Sequence, residues 1–145
     1  MSDILIKKVG SKKELKISQN IREIVFCDEQ KVSKQIEFDG LDHLCEHFLI
    51  RKNKNYIATA RVRPKNKDIL KIERVAVLPE FRRLKVGSLL INEIIKFYFS
   101  GKKINSIILH SQVYVEEFYR SLNFKSYGDE FSEDGIPHIA MKYEK

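Results

Sequence analysis

The sequence predicts one domain of mixed α/β (α+β) class spanning residues 1–145, a single mixed sheet with helices on both faces. Three observations lead there. A length of 145 residues suits one domain with a real core and is too short for two. Apolar residues recur alternately at strand and helix spacing, in the order βα(α)βββαβαββ, without internal repeat, linker or low-complexity segment. The run "SIILHS" is almost unbrokenly apolar, the pattern of a central strand buried on both faces.

Each element has its own signal. "DILIKKV" (Asp3–Val9) is a strand with Ile4 and Ile6 on one face. Ser11 and Glu14 fit a capping box, in which each side chain satisfies a free amide at a helix start. Behind them Ile17, Ile21, Ile24 and Val25 keep helical spacing, so this helix runs to about Asp28. A shorter helix falls within Val32–Leu44. "HFLIRKNKNYIATARVRP" reads as two strands joined at Asn53–Asn55, a short Asn-bearing turn between apolar runs, and Pro64 ends the pair. "ILKIERVAVLP" is a further strand, stopped by Pro79. Val86, Leu89, Leu90, Ile94 and Phe97 form the apolar stripe of a helix closed by Gly101. After "SIILHS" a short helix covers Val115–Leu122, and "FKSYG" and "HIAMKY" are the last two strands.

Several function classes are excluded at this level. No apolar run approaches the roughly 18 residues of a membrane-spanning helix, and "MSDILIKKVG" lacks signal-peptide architecture. Cys27 and Cys45 have no CxxC spacing, which suits two reduced thiols in a cytoplasmic protein. The formal charge of +7 is spread along the chain, with no zinc-finger, basic-zipper or RNP pattern beside it. It therefore fits an anionic small ligand as well as it fits nucleic acid, and no nucleic-acid or membrane partner is expected. His43, His47 and His138 lack metal-ligand spacing, so no metal is expected either. A Walker loop and a GxGxxG fingerprint do not occur in the sequence.

What remains is "FRRLKVGSLL", set where a strand gives way to a helix. The first amides of a helix are unpaired and carry a partial positive charge, so such an end holds phosphate readily. Arg82, Arg83 and Lys85 add full charges there, and a guanidinium can fork onto phosphate oxygens. Gly87 permits close backbone approach, and Ser88 adds a hydroxyl. The run reads as a pyrophosphate cradle or, equally on charge and position alone, as a solvated basic turn.

The residues then carry a resemblance. "ERVAVLPEFRRLKVGSLLI" resembles the acetyl-CoA-binding motif of the GCN5-related N-acetyltransferase (GNAT) superfamily, Arg/Gln-x-x-Gly-x-Gly/Ala. "LHSQVYVEEFYRSLNFKSYGDEF" resembles its second signature, Asn-x-x-Ala-x-x-Phe-Tyr-x-x-x-Gly-Phe. The flanking "EQKVSKQIEFDGLDHLCEHFLI" and "EDGIPHIAMKY" are similar to a small-molecule branch that includes hexosamine-phosphate acetyltransferases, so the likeness spans nearly the whole chain. Four positions depart from the pattern: Lys85 for the first cradle glycine, Gln112 for Asn, Val115 for Ala, and Asn123 for the glycine before Phe124. Asn tolerates positive φ, whereas Lys85 loses freedom there.

The resemblance implies a mostly antiparallel central sheet that splays at an acetyl-CoA site. The pantetheine arm would lie along Val75, Ala76 and Val77 like an added strand. The pyrophosphate would sit on Arg82, Arg83, Leu84, Lys85, Val86, Gly87 and Ser88, with Gln112, Phe118 and Tyr119 completing the cofactor contacts. Tyr119 stands where the family's general acid stands, able to give a proton to the departing thiolate. An alkyl amine is mostly protonated at neutral pH, and its base is expected to be Glu73, or a water deprotonated through Glu73 or His110. The acceptor is a small-molecule amine. Arg61, Arg63 and Arg74 point to an amino-sugar phosphate such as glucosamine 6-phosphate, while the carboxylates of "IEFDGLDH" would instead hold a polyamine or a lysine side chain. A non-catalytic CoA-binding module is the alternative outside enzymes. Family members often form homodimers, and "HIAMKY" is the candidate edge strand.

Overall fold

Phe48 and Ile50 leave their strand on one side and Leu49 on the other, yet all three are buried. The sheet that contains them is therefore covered on both faces, as the sequence predicts. The computed structural model describes residues 3–100 and 104–144. Strand β1 (Ile4–Lys8) leads to helix α1 (Lys12–Arg22), then to a one-turn helix α2 (Lys34–Glu37) and the hairpin β2 (Glu46–Lys52) and β3 (Asn55–Pro64). Next come β4 (Ile69–Val77), α3 (Val86–Phe99), β5 (Ser106–Gln112), α4 (Glu116–Arg120), β6 (Lys125–Glu133) and β7 (Ile136–Glu144). The sheet order is β1-β2-β3-β4-β5-β7-β6, and among the described strands only β4 and β5 run parallel.

Two apolar layers clamp this sheet. One gathers Phe48, Ile50, Val62 and Ile72 with Leu90, Ile91 and Ile94 of α3. The other sets Leu49 and Ala76 against Ile21 and Val25. Helices α1 and α3 thus lie on opposite faces. On the α1 side a buried hydroxyl pair, Ser18 and Thr59 at 2.5 Å, adds a polar tie that continues to the Phe48 carbonyl.

Several boundaries differ from the sequence reading. The capping box is present, with the Ser11 hydroxyl accepting from the Glu14 amide and the Glu14 carboxylate accepting from the Gly10 amide. The helix behind it, however, widens at Glu23 into a π-helix that runs to Glu29. The Val32–Leu44 segment keeps only α2 and a 3₁₀ turn, Asp42–Leu44. The last strands are longer than expected because Asp134 and Gly135, at φ 55° and 78°, make a two-residue turn of the kind that hairpins favour. "HIAMKY" is not an edge: β7 is hydrogen-bonded to β5 on one side and β6 on the other, and the sheet ends at β1 and β6. Gly101 lies outside the described residues, and α3 ends at Phe99.

The Val32–Leu44 segment is held by charge. Arg61 of β3 is 1% exposed, and donates to Asp39 at 2.9 Å, to Asp42 at 2.9 Å and to Glu73 at 2.5 and 2.9 Å. Arg22 is fully buried and donates to the Glu37 and Asp42 carboxylates, both at 2.9 Å. Arg74 closes the lattice onto Glu37 at 3.1 Å and Asp39 at 3.2 Å. Removing one member of such a cluster leaves buried charges without partners, which costs about 3–5 kcal/mol.

Arg61→Met should therefore lower Tm by about 10 °C, given roughly 2–4 °C per kcal/mol for chains of this size, and calorimetry would measure it. Acid should act in the same direction. Hydrogen bonds from Arg61 hold Asp39 well below the usual carboxylate range. Burial alone would raise Asp42 and Glu73, but Gln19 with Arg22 and Arg61 at Asp42, and Arg61 with Lys71 at Glu73, outweigh it and both are lowered. Groups lowered on folding stabilise fully above their unfolded values, about 4, and lose that contribution as the pH falls through the folded values. Thermal melts from pH 7 down to pH 3 should show a steep loss below about pH 4 that is blunted in Arg61→Met.

Candidate functional site

The site begins with a defect in strand β4. Arg74 holds φ 55° in the middle of the strand, and the register to β3 slips there, from Thr59 opposite Ala76 to Arg61 opposite Glu73. A bulge of this kind bends its strand and ends regular pairing. On the other side, β4 meets β5 only from Ile69–Ser106 to Ile72–Leu109. Past that pair the strands diverge, and a cavity of about 660 Å³ opens between Glu73–Val77 and His110–Gln112. Leu78 donates to the Ile57 carbonyl on the β3 side. Backbone groups alternate along a strand, so those of Val77 and Val75 face the unpaired edge.

At the far end of this edge Pro79 stops the strand, a 3₁₀ turn (Pro79–Phe81) follows, and α3 starts. Lys85 precedes α3 at φ 63°, a left-handed conformation, with no side-chain cap on the helix. This is the conformation for which the motif's glycine is suited, and lysine is strained in it. The first backbone bond of α3 runs from Leu89 to Lys85, which leaves the amides of Val86, Gly87 and Ser88 without helical partners. Arg83 and Lys85 make no ion pair among the described residues. Arg82 is committed, forking onto Glu29 at 2.6 and 2.7 Å and donating to the Val77 carbonyl at 2.9 Å. Gly87 has a second reason to be glycine, since an added Cβ would lie 3.2 Å from the Phe118 ring.

Helix α4 delivers the aromatic wall. Phe118 and Tyr119 pack edge to face at 4.9 Å, and Tyr119 leans on Phe124 at 5.8 Å. Tyr119 lines the cavity, and burial pushes its phenol well above the ordinary range, so the proton stays on oxygen at working pH. Its hydroxyl has no hydrogen bond to any described residue. Asn123, at φ 74°, takes up the left-handed position that the motif gives to glycine. Gln112 ends β5 and donates to Gln30 at 3.1 Å.

Of the catalytic and cofactor-binding residues expected from sequence, all but Ala76 and Leu84 line the cavity; Arg61 and Arg63, expected at the acceptor, do not. Ala76 faces the α1 layer and Leu84 is exposed. Glu73 lines it as well, but its carboxylate is held by Arg61, Arg63 at 3.2 Å and Lys71 at 3.3 Å, and its lowered pKa makes it a weak proton acceptor. Arg61, Arg63 and Arg74 are likewise paired with carboxylates and leave no free guanidinium for an anionic acceptor. The same pairing occupies Glu37, Asp39 and Asp42 of "IEFDGLDH". Neither cysteine lines the cavity, and burial, foremost among the causes, raises both thiols. Sequence reasoning missed Val25, Phe26 and Glu29 of the π-helix, and Glu133 and Asp134 at the β6–β7 turn. The Asp134-Gly135 pair was a readable hairpin signal; nothing in the sequence marks Glu29 as the partner of Arg82.

Comparison with known proteins decides the family. The sequence profile of the "Acetyltransferase (GNAT) domain" matches residues 16–145. The chain is a member of the GNAT family. Relatives agree along their whole length. The uncharacterized protein YyaT of Bacillus subtilis is 34% identical over 145 residues, covering 96% of this chain and 95% of that one. Protein ElaA of Escherichia coli is 32% identical over 139 residues, covering 90% and 91%. The crystal structure of ElaA superposes with a TM-score of 0.86 at 28% identity, covering 99% of this chain and 100% of that one. A GNAT acetyltransferase from Elizabethkingia anophelis, crystallised with acetyl-CoA bound, shares the fold at a TM-score of 0.76, 18% identity and 98% coverage of each chain. GNAT domains use acetyl-CoA, and the free amides of α3, the unpaired edge of β4 and the unpaired Arg83 and Lys85 suit its pyrophosphate and pantetheine. Among the described residues no helix is long and apolar enough to cross a membrane.

Lys85→Gly separates conformation from charge at the cradle. Removing the strain should raise Tm by about 2–4 °C, the equivalent of about 1 kcal/mol. Losing the ammonium should weaken CoA binding several-fold, with a smaller salt dependence than wild type. Differential scanning calorimetry and titration calorimetry check the two halves separately.

Proposed function

We propose that this GNAT domain is a cytoplasmic enzyme that transfers acetyl from acetyl-CoA to a primary amine by direct attack. The observation that carries the reading is Tyr119, a neutral phenol with an uncommitted hydroxyl beside the mouth of the α3 cradle. Acetyl-CoA supplies an electrophilic thioester carbonyl. Arg83, Lys85 and the amides of Val86, Gly87 and Ser88 hold the pyrophosphate, and Val75 and Val77 align the pantetheine arm through their backbone. Phe118 and Gln112 flank the arm where it reaches the chemistry. Tyr119 gives its proton to the sulfur as charge develops there, in a desolvated setting that raises the basicity of thiolate and phenol together. The raised thiols of Cys27 and Cys45, both away from the cavity, support transfer without an acyl-cysteine.

The acceptor follows from which charges are free. An amino-sugar phosphate such as glucosamine 6-phosphate would need a cation to read its phosphate, and the arginines expected to do so are paired. The acceptor end instead carries Glu133 and Asp134 beside His110 and His138. That balance favours an amine with further positive or neutral character, a polyamine or a lysine side chain, over a sugar phosphate.

Thiol release from acetyl-CoA, measured with spermidine, a lysine peptide, glucosamine and glucosamine 6-phosphate, tests this order. Spermidine or the peptide should give the largest kcat/KM, and a clear preference for glucosamine 6-phosphate over glucosamine would reverse the acceptor assignment. With the acceptor in hand, Tyr119→Phe should lower kcat by about 10²-fold or more. CoA affinity and Tm should hardly move, because the ring is kept and the hydroxyl acts in the transition state. Activity within about twofold of wild type would make Tyr119 a packing residue, and a wild type that binds CoA yet acetylates none of these amines would mark a CoA-binding module.

A further inference from the structure

Glu73 and His110 would be the next pair in the β4–β5 register, at the point where the strands part. One is saturated with cations, so the other is the titratable group left at the vertex. His110 Nδ1 lies 2.9 Å from Glu133 Oε1, its ring stands edge-on to Phe131 at 5.0 Å, and it lines the cavity. We propose that His110 takes the proton from the incoming amine, and that Glu133 is the positioning residue that makes it able to do so. The inference rests on the reading of the chain as an amine acetyltransferase.

The geometry assigns the tautomer. A carboxylate accepts only, so Nδ1 carries the hydrogen and the lone pair is left on Nε2. Nε2 has no hydrogen-bond partner among the described residues. Glu133 is fit for the task because its hydrogen bond from His110 lowers its pKa and keeps it ionised at neutral pH. Its other oxygen lies 3.8 Å from Nε2 of His138, whose Nδ1 donates to the Ile136 carbonyl at 2.7 Å. Glu133 is thus held by the hydrogen bond from His110 on one oxygen, while the other faces His138 without a hydrogen bond. The charged groups around His110 are Glu133 on β6, His138 on β7, Asp134 in the turn, and Lys71 and Glu73 on β4, the last two paired with each other at 3.3 Å.

The proton balance closes. His110 Nε2 takes one proton from the ammonium and later passes it to solvent. The freed nitrogen bonds to the carbonyl carbon, the carbon–sulfur bond breaks with its electron pair going to sulfur, and Tyr119 protonates that sulfur. The second proton shed by the nitrogen returns to Tyr119. The products are the amide, the thiol and one released proton.

The test is His110→Gln, which keeps a hydrogen bond to Glu133, alongside Glu133→Gln, each checked by its melting curve and CoA affinity. With an alkyl amine at pH 7, His110→Gln should lose about 10²-fold in kcat/KM and the acidic limb of its pH profile. With an alkoxyamine acceptor, already unprotonated at pH 7, it should stay within several-fold of wild type. Glu133→Gln should follow the same split between the two acceptors with a smaller loss, since Glu133 acts only by orienting the imidazole. Imidazole ¹⁵N spectra of the wild type should show the Nδ1–H form above the limb. Equal losses with both acceptors in either variant, or the Nε2–H form in the wild type, would each overturn the assignment. Failure of the wild type to acetylate any amine would instead remove the acetyltransferase reading, and this inference with it.

Discussion

Arg61 is a permanent positive charge in the middle of a buried strand, and it cannot stay there unanswered. Asp39, Asp42 and Glu73 answer it, and through them it organises the region. Asp42 is shared with Arg22 of α1, so helix and sheet hang on one carboxylate. Asp39 is shared with Arg74, the residue whose positive φ makes the bulge. The strand defect that opens the cavity is thus locked by ions rather than by packing.

The overall charge of the chain gives little guidance to the cleft for the same reason. The residues that look available in the sequence, Arg61, Arg63, Arg74, Arg82, Glu37, Asp39 and Asp42, are paired with residues 10 to 53 positions away along the chain. What is left divides the cleft in two. One end is cationic, with the α3 amides, Arg83 and Lys85. The other holds imidazole and carboxylate.

The sequence was most legible where local physics decides. The capping box, the Asn53 turn, the Pro79 stop and the start of α3 at Val86 are all contiguous signals, and all stand where the sequence put them. The left-handed conformation at Lys85 and Asn123 was readable too, because the motif names positions that only glycine fills easily. The misses have another cause. No short window reveals that α1 widens into a π-helix at Glu23. Nor does local pattern show that β7 lies between β5 and β6, because strand order is set by tertiary pairing. The pairings of Glu73 and Glu133 are hidden for the same reason: each is defined by a partner that the chain brings in from elsewhere.

The lone parallel join has a consequence for how this protein acquires its site. Hairpins such as β2–β3 and β6–β7 form through tight turns, but β4 and β5 meet only after the chain has travelled out along α3 and back. Loop-closure entropy is lost there before the contacts that offset it are made. A chain with every hairpin in place still has no cleft, and during synthesis none exists until β5 has emerged and docked. A ligand lying along the free edge of β4 and across the start of α3 adds contacts at that very joint. A ligand that binds only the docked chain therefore also stabilises the fold, by mass action at that joint.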